Sequence, residues 1–513
     1  MRNLVICCDG TWADRDRLED TELNPTNVAR IYNAADAGRN EKYYHPGVGT
    51  SGGFWARFRG GLVGDGLDKN IISAYVWLVK NYKENDNIFI FGYSRGAYTA
   101  RCLAGMISRC GLLDVSAVKI DIWKAARMVY GIGYRKRHKH FPPCLALRTV
   151  KVKFLGVWDT VGSLGIPDNF IILSFLFNRH RKYVFTDRKL GKNIENARHA
   201  LALDEQRASF TPTLWDDTIN TKKKNSDECA EAEPPARDPR IKRRWFVGGH
   251  GDVGGGCRKK GLSDIALKWM MDEARACGLN FRQNMYDQLK PDYQCYAHNY
   301  LGGTEKLMRT QPRYCPYVDA HSPEIHDSVK ERQKNPPIRL DTYRANESFS
   351  ALTQRTGNIT VYAKDAWTYT GIYLEQGKTY NFFAHGNWQL KDRVKCGPDE
   401  NQKVRFMFIR FILGDISGFF EKFFRLFSGN KYGDALLSKR VEEFPWLILC
   451  GAVMLRESPN VNGMPTRPLY IKIGKERLLY KAETSGYLYC FVNDTWGFDD
   501  QRQGSLTLMV ERI

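Results

Sequence analysis

The chain has 513 residues, 43% of them hydrophobic, which is enough for two or more domains with their own cores. No stretch of the sequence reaches the roughly 18 consecutive apolar residues of a transmembrane helix, which excludes a protein with helical membrane spans. The formal net charge of +20 attracts polyanions, either nucleic acid or an anionic membrane, and the lack of a zinc-finger, RNP or helix-turn-helix pattern argues against nucleic acid. For any single basic cluster, a solvated basic face remains the first interpretation.

The amino terminus and the cysteines indicate the cellular setting. The apolar part of residues 1–9 is too short for a secretory signal peptide, so we expect synthesis in the cytoplasm and, if the protein is exported, a route without a cleaved signal. The thirteen cysteines include no Cys-x-x-Cys pair, which predicts buried free thiols rather than disulfides or a zinc site. We therefore expect no metal and no cofactor.

The first apolar run, from Leu4 to Cys8, predicts a core strand that ends in an Asp-Gly-Thr turn. A strand that runs into such a turn places backbone N–H groups at the carboxyl edge of a sheet, where the sites of α/β proteins are built. The amides of Gly10 and Thr11 are therefore candidates for half of an oxyanion hole. An ordinary Asp-Gly turn is an equally good interpretation.

The segment around Ser94 predicts a nucleophile elbow. The apolar run from Ile88 to Phe91 reads as a buried strand, it breaks at Gly92, and an Ala-rich helical pattern begins at Arg95. A serine in Gly-x-Ser-x-Gly between a strand and a helix is typical of an α/β hydrolase, with a mostly parallel sheet flanked by helices. The Arg95 amide, at the start of the helix, would face the oxyanion. The side chain of Arg95 could pair with a phosphate or with a carboxylate.

Two further residues complete a hydrolase set. A β-branched run from Thr149 to Val157 predicts a strand, and Asp159 follows it directly. His250 lies in a glycine-dense stretch after another short strand. The order Ser94, Asp159, His250 is that of the α/β hydrolases, in which the acid orients the histidine and the histidine acts as general base. Asp252 is an alternative acid.

Three segments around these residues have less specific patterns. The apolar stretch from Phe170 to Phe177 predicts either a lid that touches membrane or a buried helix. The stretch from Ala197 to Glu205, rich in Ala and Leu, predicts a helix. Residues 216–240 are polar and predict a surface loop.

Residues 1–345 resemble the α/β-hydrolase family that includes the phospholipase effectors of bacterial type VI secretion. The resemblance implies that Ser94, Asp159 and His250 hydrolyse lipid esters. It also implies a secretion-machinery carrier, a cognate immunity protein and delivery into target cells. The matching stretches, in order, are Cys8–Thr11, Gly92–Ala97, Gly156–Gly162, His199–Glu205 and Trp245–Gly256.

Residues 346–513 differ in kind, because alternation of apolar and polar residues predicts a β-sandwich. This part resembles the PA-IL type of galactose-binding lectin, in which a calcium ion bridges the sugar and the protein. Asp494 matches a calcium-binding position, but Phe498, Gln501 and Arg502 stand where oxygen ligands are expected. Because calcium needs six to eight oxygen ligands, we expect no calcium-dependent galactose binding.

An amphipathic segment near 404–430 interrupts the predicted sandwich. Its apolar residues share one helical face and its polar residues share the other. We expect the apolar face to pack against the hydrolase core, and an interfacial membrane helix is the alternative. The apolar residues are Ile416, Phe419, Phe420, Phe423, Phe424 and Phe427, and the polar ones are Ser417, Glu421, Lys422 and Arg425.

The motifs predict a serine esterase. The resemblance implies that it is of the phospholipase A type and acts on glycerophospholipids of a target-cell membrane, as an antibacterial type VI secretion effector. One alternative is a carbohydrate- or membrane-binding module in which the hydrolase domain is only a scaffold. A complete set of serine, acid and histidine argues against it, since a scaffold has no need of the set. Another alternative is a hydrolase of non-lipid esters.

Overall fold

The computed structural model describes residues 1–10, 18–19, 22–36, 38, 40–47, 63–138, 141–142, 144–161, 188–218, 237–298, 310–319, 321–337, 346–390, 394–399, 409–428, 438–455, 466–496 and 502–513. They form two compact units. The first lies within Met1–Ser163, Lys182–Ala202 and Pro212–Tyr296, and the second chiefly within Ala297–Ile513, together with Leu203–Thr211. The predicted boundary between residues 345 and 346 stays a prediction, because residues 338–345 lie outside the described ranges.

The first unit alternates strands and helices. In chain order its elements are β1 (Asn3–Cys8), β2 (Leu18–Glu19), β3 (Glu22–Leu23), α1 (Asn27–Ala34), β4 (Asn40–His45), α2 (Val63–Asn81), β5 (Asn87–Tyr93), α3 (Arg95–Cys110), β6 (Leu112–Leu113), α4 (Ile122–Met128) with a π-helical turn (Val129–Arg135), β7 (Leu147–Arg148), β8 (Phe154–Trp158), β9 (Ala197–Ala202), β10 (Ile241–Phe246), α5 (His250–Gly254), α6 (Gly261–Ala276) and α7 (Gln283–Asp287).

Six of these strands form one parallel sheet in the order β10-β9-β8-β5-β1-β4. Every residue of β1 and of β8 is buried, as expected for parallel strands with helices on both faces. The carboxyl ends of β5, β8 and β10 therefore meet at one edge of the sheet, which is the edge that carries the candidate site. The predicted α/β-hydrolase architecture is confirmed.

The predicted helix from Ala197 to Glu205 is wrong, since residues Ala197–Ala202 form strand β9. All six residues are buried, and β9 pairs in parallel with β8 on one side and β10 on the other. Two neighbouring strands satisfy the backbone groups of this segment, and this tertiary pairing overrides the helix propensity of its alanines and leucines.

The second unit is built mainly from antiparallel strands. Its elements are α8 (Asp327–Lys334), β11 (Ile359–Tyr362), β12 (Thr368–Leu374), β13 (Thr379–Leu390), β14 (Val394–Cys396), α9 (Ile409–Ser428), β15 (Leu449–Val453), β16 (Leu469–Lys472), β17 (Glu476–Lys481), β18 (Gly486–Val492) and β19 (Arg502–Arg512). One sheet runs β11-β19-β13-β14 with β17 beside β13, and the other runs β12-β18-β15-β16. Residues of both sheets form one hydrophobic core, so the predicted β-sandwich is confirmed.

Helix α9 is the predicted amphipathic segment, but the described side chains of its apolar face are largely exposed. Ile416, Phe419, Phe420 and Phe423 are exposed, whereas Glu421 of the opposite face is buried. The packing interpretation is therefore wrong for these residues. The side chains of Phe424, Arg425 and Phe427 lie outside what the structure describes, as do residues 404–408.

Two other predictions concern thiols and membrane spans. Cys7, Cys8, Cys102 and Cys110 are buried free thiols, as predicted. Within the described ranges, none of the helices combines the length and the apolar character needed to cross a bilayer. The predicted lid or helix from Phe170 to Phe177 lies outside the described residues.

Candidate active site

Ser94 lies at a sharp turn between β5 and α3. Its backbone has φ 57° and ψ −123°, a conformation that non-glycine residues rarely adopt and that costs about 1–3 kcal/mol. Its N–H donates to the carbonyl of Trp158, at the end of β8, with an N–O distance of 3.1 Å. The neighbouring strand thus holds the strained turn in place, and the Ser94 side chain sits at the carboxyl edge of the sheet.

The close approach of α3 to β5 explains the first glycine of the elbow. A Cβ on Gly92 would lie 2.5 Å from the carbonyl oxygen of Gly96 and 2.7 Å from Cα of Ala97. Such distances are far below van der Waals contact, so only glycine fits where the strand turns directly into the helix.

Asp159 and His250 are brought together although 91 residues separate them in the chain. His250 Nδ1 lies 2.6 Å from Asp159 Oδ2, and both side chains are buried. Asp159 directly follows β8, and His250 is the first residue of the short helix α5 rather than part of a loop. A buried carboxylate bonded to Nδ1 sets the orientation of an imidazole and leaves Nε2 to exchange protons with a substrate or nucleophile.

The end of strand β9 holds the Asp159 turn on several sides. Asp159 has a positive φ of 38°. Its N–H donates to the carbonyl of Ala200 at 2.8 Å, and its Oδ1 accepts the N–H of Ala202 at 3.1 Å. The next residue, Thr160, donates its N–H to Nε2 of the buried His199 at 3.3 Å. One strand therefore fixes both the backbone and the carboxylate of Asp159.

Tyr93 and Asp252 position the histidine from its other sides. The ring of Tyr93 lies 4.7 Å from the ring of His250, and its hydroxyl donates to the His250 carbonyl at 3.2 Å. Asp252, the third residue of α5, accepts the N–H of the N-cap residue Gly249 at 2.9 Å, the side-chain contact of a capping box. Asp159 therefore contacts the ring of His250, whereas the described hydrogen bond of Asp252 goes to the backbone at the start of this helix.

The loop after β1 lies beside Ser94, but its first amide is already engaged. A Cβ on Gly10 would lie 3.3 Å from Cβ of Ser94. The Gly10 N–H donates to Asp9 Oδ1 at 2.7 Å, while Asp9 Oδ2 accepts from the hydroxyls of Thr26 at 2.6 Å and Tyr44 at 2.7 Å. The Asp9 carboxylate therefore links the Gly10 amide to the hydroxyls of Thr26 and Tyr44. Thr11 lies outside the described residues.

Arg95 begins helix α3 directly after Ser94. Desolvation by the surrounding protein lowers the pKa of its guanidinium to about 10, so the group stays charged at neutral pH. A charged guanidinium in a partly desolvated place attracts anionic groups more strongly than one in water. A cation thus stands next to Ser94.

Residues 2–273 match the family described as "T6SS, Phospholipase effector Tle1-like, catalytic domain". The chain belongs to this Tle1-like family. The match covers more than half of the chain, and it includes the whole parallel sheet together with Ser94, Asp159 and His250.

One curated protein matches part of this Tle1-like chain at low sequence identity. "Uncharacterized protein YEL023C" of Saccharomyces cerevisiae is 29% identical over 240 residues, which are 41% of this chain and 32% of that protein. The chain thus matches about a third of the length of its curated relative.

Two solved structures are each similar to part of the chain. The Tle1 effector bound to the VgrG spike of the type 6 secretion system is 17% identical, with a TM-score of 0.27, and the match covers 50% of this chain and 52% of that one. The EclA N-terminal domain, a PllA-like lectin, is 14% identical, with a TM-score of 0.18, and the match covers 31% of this chain and 98% of that one. At TM-scores this low, neither likeness carries an argument.

The sequence analysis of this Tle1-like chain did not single out Tyr93, His199 or Asp9 as parts of the site. Tyr93 is one of the two variable residues of Gly-x-Ser-x-Gly, so the motif itself does not mark it. His199 and Asp9 lie in stretches that match the family, and each follows or belongs to an apolar run. A polar residue within or just after a buried strand at the carboxyl edge of the sheet was the available signal.

Proposed function

We propose that the chain is a serine esterase that hydrolyses the acyl esters of glycerophospholipids, with Ser94 as nucleophile, His250 as general base and Asp159 as the acid that orients it. The observation that carries the proposal is the 2.6 Å contact between His250 Nδ1 and Asp159 Oδ2, at the sheet edge where the Ser94 turn lies. Membership in a family of phospholipase effectors supports the choice of a phospholipid substrate.

The reaction proceeds through an acyl-enzyme. His250 Nε2 takes the proton of the Ser94 hydroxyl as its Oγ attacks the ester carbonyl, and Asp159 stabilises the imidazolium that forms. His250 then returns the proton to the leaving alcohol of the glycerol backbone. Water, deprotonated in turn by His250, hydrolyses the acyl-serine and releases a fatty acid, so that the enzyme is regenerated.

The oxyanion would be bound by the Arg95 amide at the N-terminus of α3 and by an amide of the Gly10–Thr11 loop. The helix dipole and N–H groups at this end favour negative charge. The Gly10 amide can take part only if it leaves Asp9 Oδ1, because it is bonded there at 2.7 Å. We therefore rank the Arg95 amide first among the oxyanion donors.

In the cell, we propose that the protein acts as an antibacterial type VI secretion effector on target-cell membranes. In this proposal a carrier of the secretion machinery delivers it and a cognate immunity protein protects the producing cell. Family membership supports the effector role. We also propose that residues 1–345 form the catalytic domain and residues 346–513 a separate binding domain.

A product analysis tests the activity. The full-length protein and the Ser94→Ala variant are incubated with mixed glycerophospholipids, and the products are identified by mass spectrometry. We expect free fatty acid and lysophospholipid with the wild type only. If the wild type instead releases acid only from short water-soluble esters, the chain is a hydrolase of non-lipid esters. If neither substrate is cleaved, the alternative of a binding module with a scaffold hydrolase domain replaces the proposal.

A further inference from the structure

Helix α9 presents a continuous apolar face to solvent. Its buried positions are Phe411, Gly414, Gly418 and Glu421, spaced three or four residues apart along one side. The exposed apolar side chains occupy the opposite side, with Phe419 at 68% and Phe420 at 63% exposure. The exposed set consists of Ile412, Leu413, Ile416, Phe419, Phe420 and Phe423.

The rest of the second unit holds the helix in this orientation. The ring of Phe411 packs 4.7 Å from that of Trp446, whose indole N–H donates to Asp415 Oδ1 at 3.0 Å. A Cβ on Gly418 would overlap the carboxyl group of Glu442, so the small residues permit close docking on this side. The helix is thus attached through the face that carries Phe411, Asp415 and Gly418, and the exposed aromatic residues lie on the opposite face.

The size of this face fits a lipid surface better than a protein partner. A stable protein interface uses about 20–30 residues on each side, whereas the described part of this face offers six exposed apolar side chains. The helix has 20 residues, which corresponds to a length of about 30 Å. With one polar and one apolar face, it is suited to lie in the plane of a membrane interface rather than to cross it.

The charge around the helix fits anionic headgroups. In the sequence, residues 401–442 contain eight Lys or Arg and four Asp or Glu, and one of these acids, Glu442, lies against Gly418 of the helix. Of those acids, Glu421 is buried and Asp415 is bonded to Trp446, whereas Lys422 is exposed beside the aromatic row. Basic residues near an anionic surface add to its attraction for the protein.

We propose that the exposed face of α9, Ile412 to Phe423, is an interfacial membrane-docking surface that inserts into anionic phospholipid bilayers. The aromatic row would enter the boundary between headgroups and acyl chains, about 5–10 Å deep, with Lys422 at the headgroups. The docking surface would hold the esterase at its substrate. Only this role, and not membrane binding itself, rests on the proposed function.

Vesicle binding tests the docking surface separately from catalysis. The full-length Ser94→Ala protein, which leaves vesicles intact, is sedimented with vesicles of phosphatidylcholine containing phosphatidylglycerol. The variant Phe419→Ser/Phe420→Ser is compared with Leu478→Ser/Leu479→Ser, which removes two exposed apolar residues from β17 instead. We expect the phenylalanine variant to lose at least about tenfold in partition coefficient and the leucine variant less than about twofold.

Three controls fix the interpretation. Phe419→Leu/Phe420→Leu should retain binding, because the face stays apolar, and 0.5 M salt or vesicles of phosphatidylcholine alone should weaken the binding of the parent protein. Equal binding by the phenylalanine and leucine variants overturns the proposal. So does a change of the phenylalanine variant in oligomeric state, measured by analytical ultracentrifugation, without a change in vesicle binding. Absence of esterase activity in the wild type would sink the proposed function and leave this result standing.

Discussion

Gly96, the second residue of α3, approaches β1 so closely that a Cβ on it would overlap the carbonyl oxygens of Cys8 and Asp9. The elbow is thereby packed against the end of β1, from which the Gly10 loop departs. The two halves of the proposed oxyanion hole are therefore joined by a contact that leaves no room for a side chain.

This contact predicts that Gly96→Ala is severely destabilising, because backbone atoms rather than a flexible side chain would have to move. We expect a loss of about 3 kcal/mol or more in the free energy of unfolding, measured by urea denaturation of the full-length protein. Gly131→Ala is the matched control, since a Cβ there would meet nothing within 4 Å. Equal stability of the two variants would show that the elbow is looser than described.

Ser94 is predicted to lower the stability of the fold through its strained backbone while it supplies the nucleophile. Ser94→Ala and Ser94→Gly should both lower kcat for ester hydrolysis by several orders of magnitude, because the nucleophile is lost. Ser94→Gly should in addition be about 1 kcal/mol more stable than Ser94→Ala, because glycine adopts φ 57° and ψ −123° without strain. Esterase assays and thermal unfolding measure the two effects.

The nucleophile assignment fails if Ser94→Ala retains activity within about tenfold of the wild type. The strain argument fails separately if Ser94→Gly is no more stable than Ser94→Ala.

Asp159→Asn is predicted to fold normally and to lower kcat by about four orders of magnitude, because the amide neither stabilises the imidazolium nor selects the required tautomer. Asp252→Asn should retain most of its activity, because Asp252 accepts a backbone N–H at the start of α5 and an amide oxygen can do the same. Steady-state kinetics of both variants decide between the two acids. Near-normal Asp159→Asn together with inactive Asp252→Asn would reverse the assignment.

His199 is predicted to be a positioning residue, since its Nε2 accepts the Thr160 N–H while the carboxylate of Asp159 is bonded to His250. We expect His199→Ala to lower kcat about tenfold with little change in KM, because the acid turn relaxes while substrate binding is unaffected. His199→Gln, whose side-chain oxygen can accept the same N–H, should recover part of kcat. A fall in stability without this split between kcat and KM would assign His199 a purely structural role.

The sequence predicted those features that depend on local order along the chain. The elbow requires an apolar strand, two glycines and a helix in immediate succession, so Gly92, Ser94 and Gly96 identify it without any tertiary information. The chain order of Asp159 and His250 likewise follows from the order of strands in an α/β hydrolase. Their contact is therefore expected once the fold is recognised, even though 91 residues separate them.

The remaining features depend on which neighbour a segment meets. The composition of Ala197–Ala202 favours a helix, and only pairing with β8 and β10 makes it a strand. The periodicity of α9 defines two faces, but it does not say which face docks. Gly418 lets the helix approach the carboxyl group of Glu442 closely, and this close approach cannot be read from hydrophobicity alone.

The last prediction concerns Asp494 and Arg502, which form a buried ion pair in the second unit. Arg502 Nη1 lies 3.2 Å from Asp494 Oδ2, and Arg502 Nε donates to the carbonyl of Ala363 at 2.8 Å. Asp494 Oδ1 meanwhile accepts the N–H of Thr495 at 2.8 Å. The acid that matches a calcium position of the PA-IL type of lectin thus already has a protein cation as its partner.

We therefore expect neither calcium binding nor calcium-dependent galactose binding by the full-length protein. A guanidinium paired with Asp494 repels a divalent cation, and a calcium ion would have to displace it from a buried place. Calorimetric titration with calcium and then with galactosides measures both events, and the Arg502→Met variant shows what the pair contributes. That variant should lose about 3–5 kcal/mol of unfolding free energy, because Asp494 is left buried without its cation. Micromolar calcium binding by the wild type, followed by saturable sugar binding, would contradict the prediction.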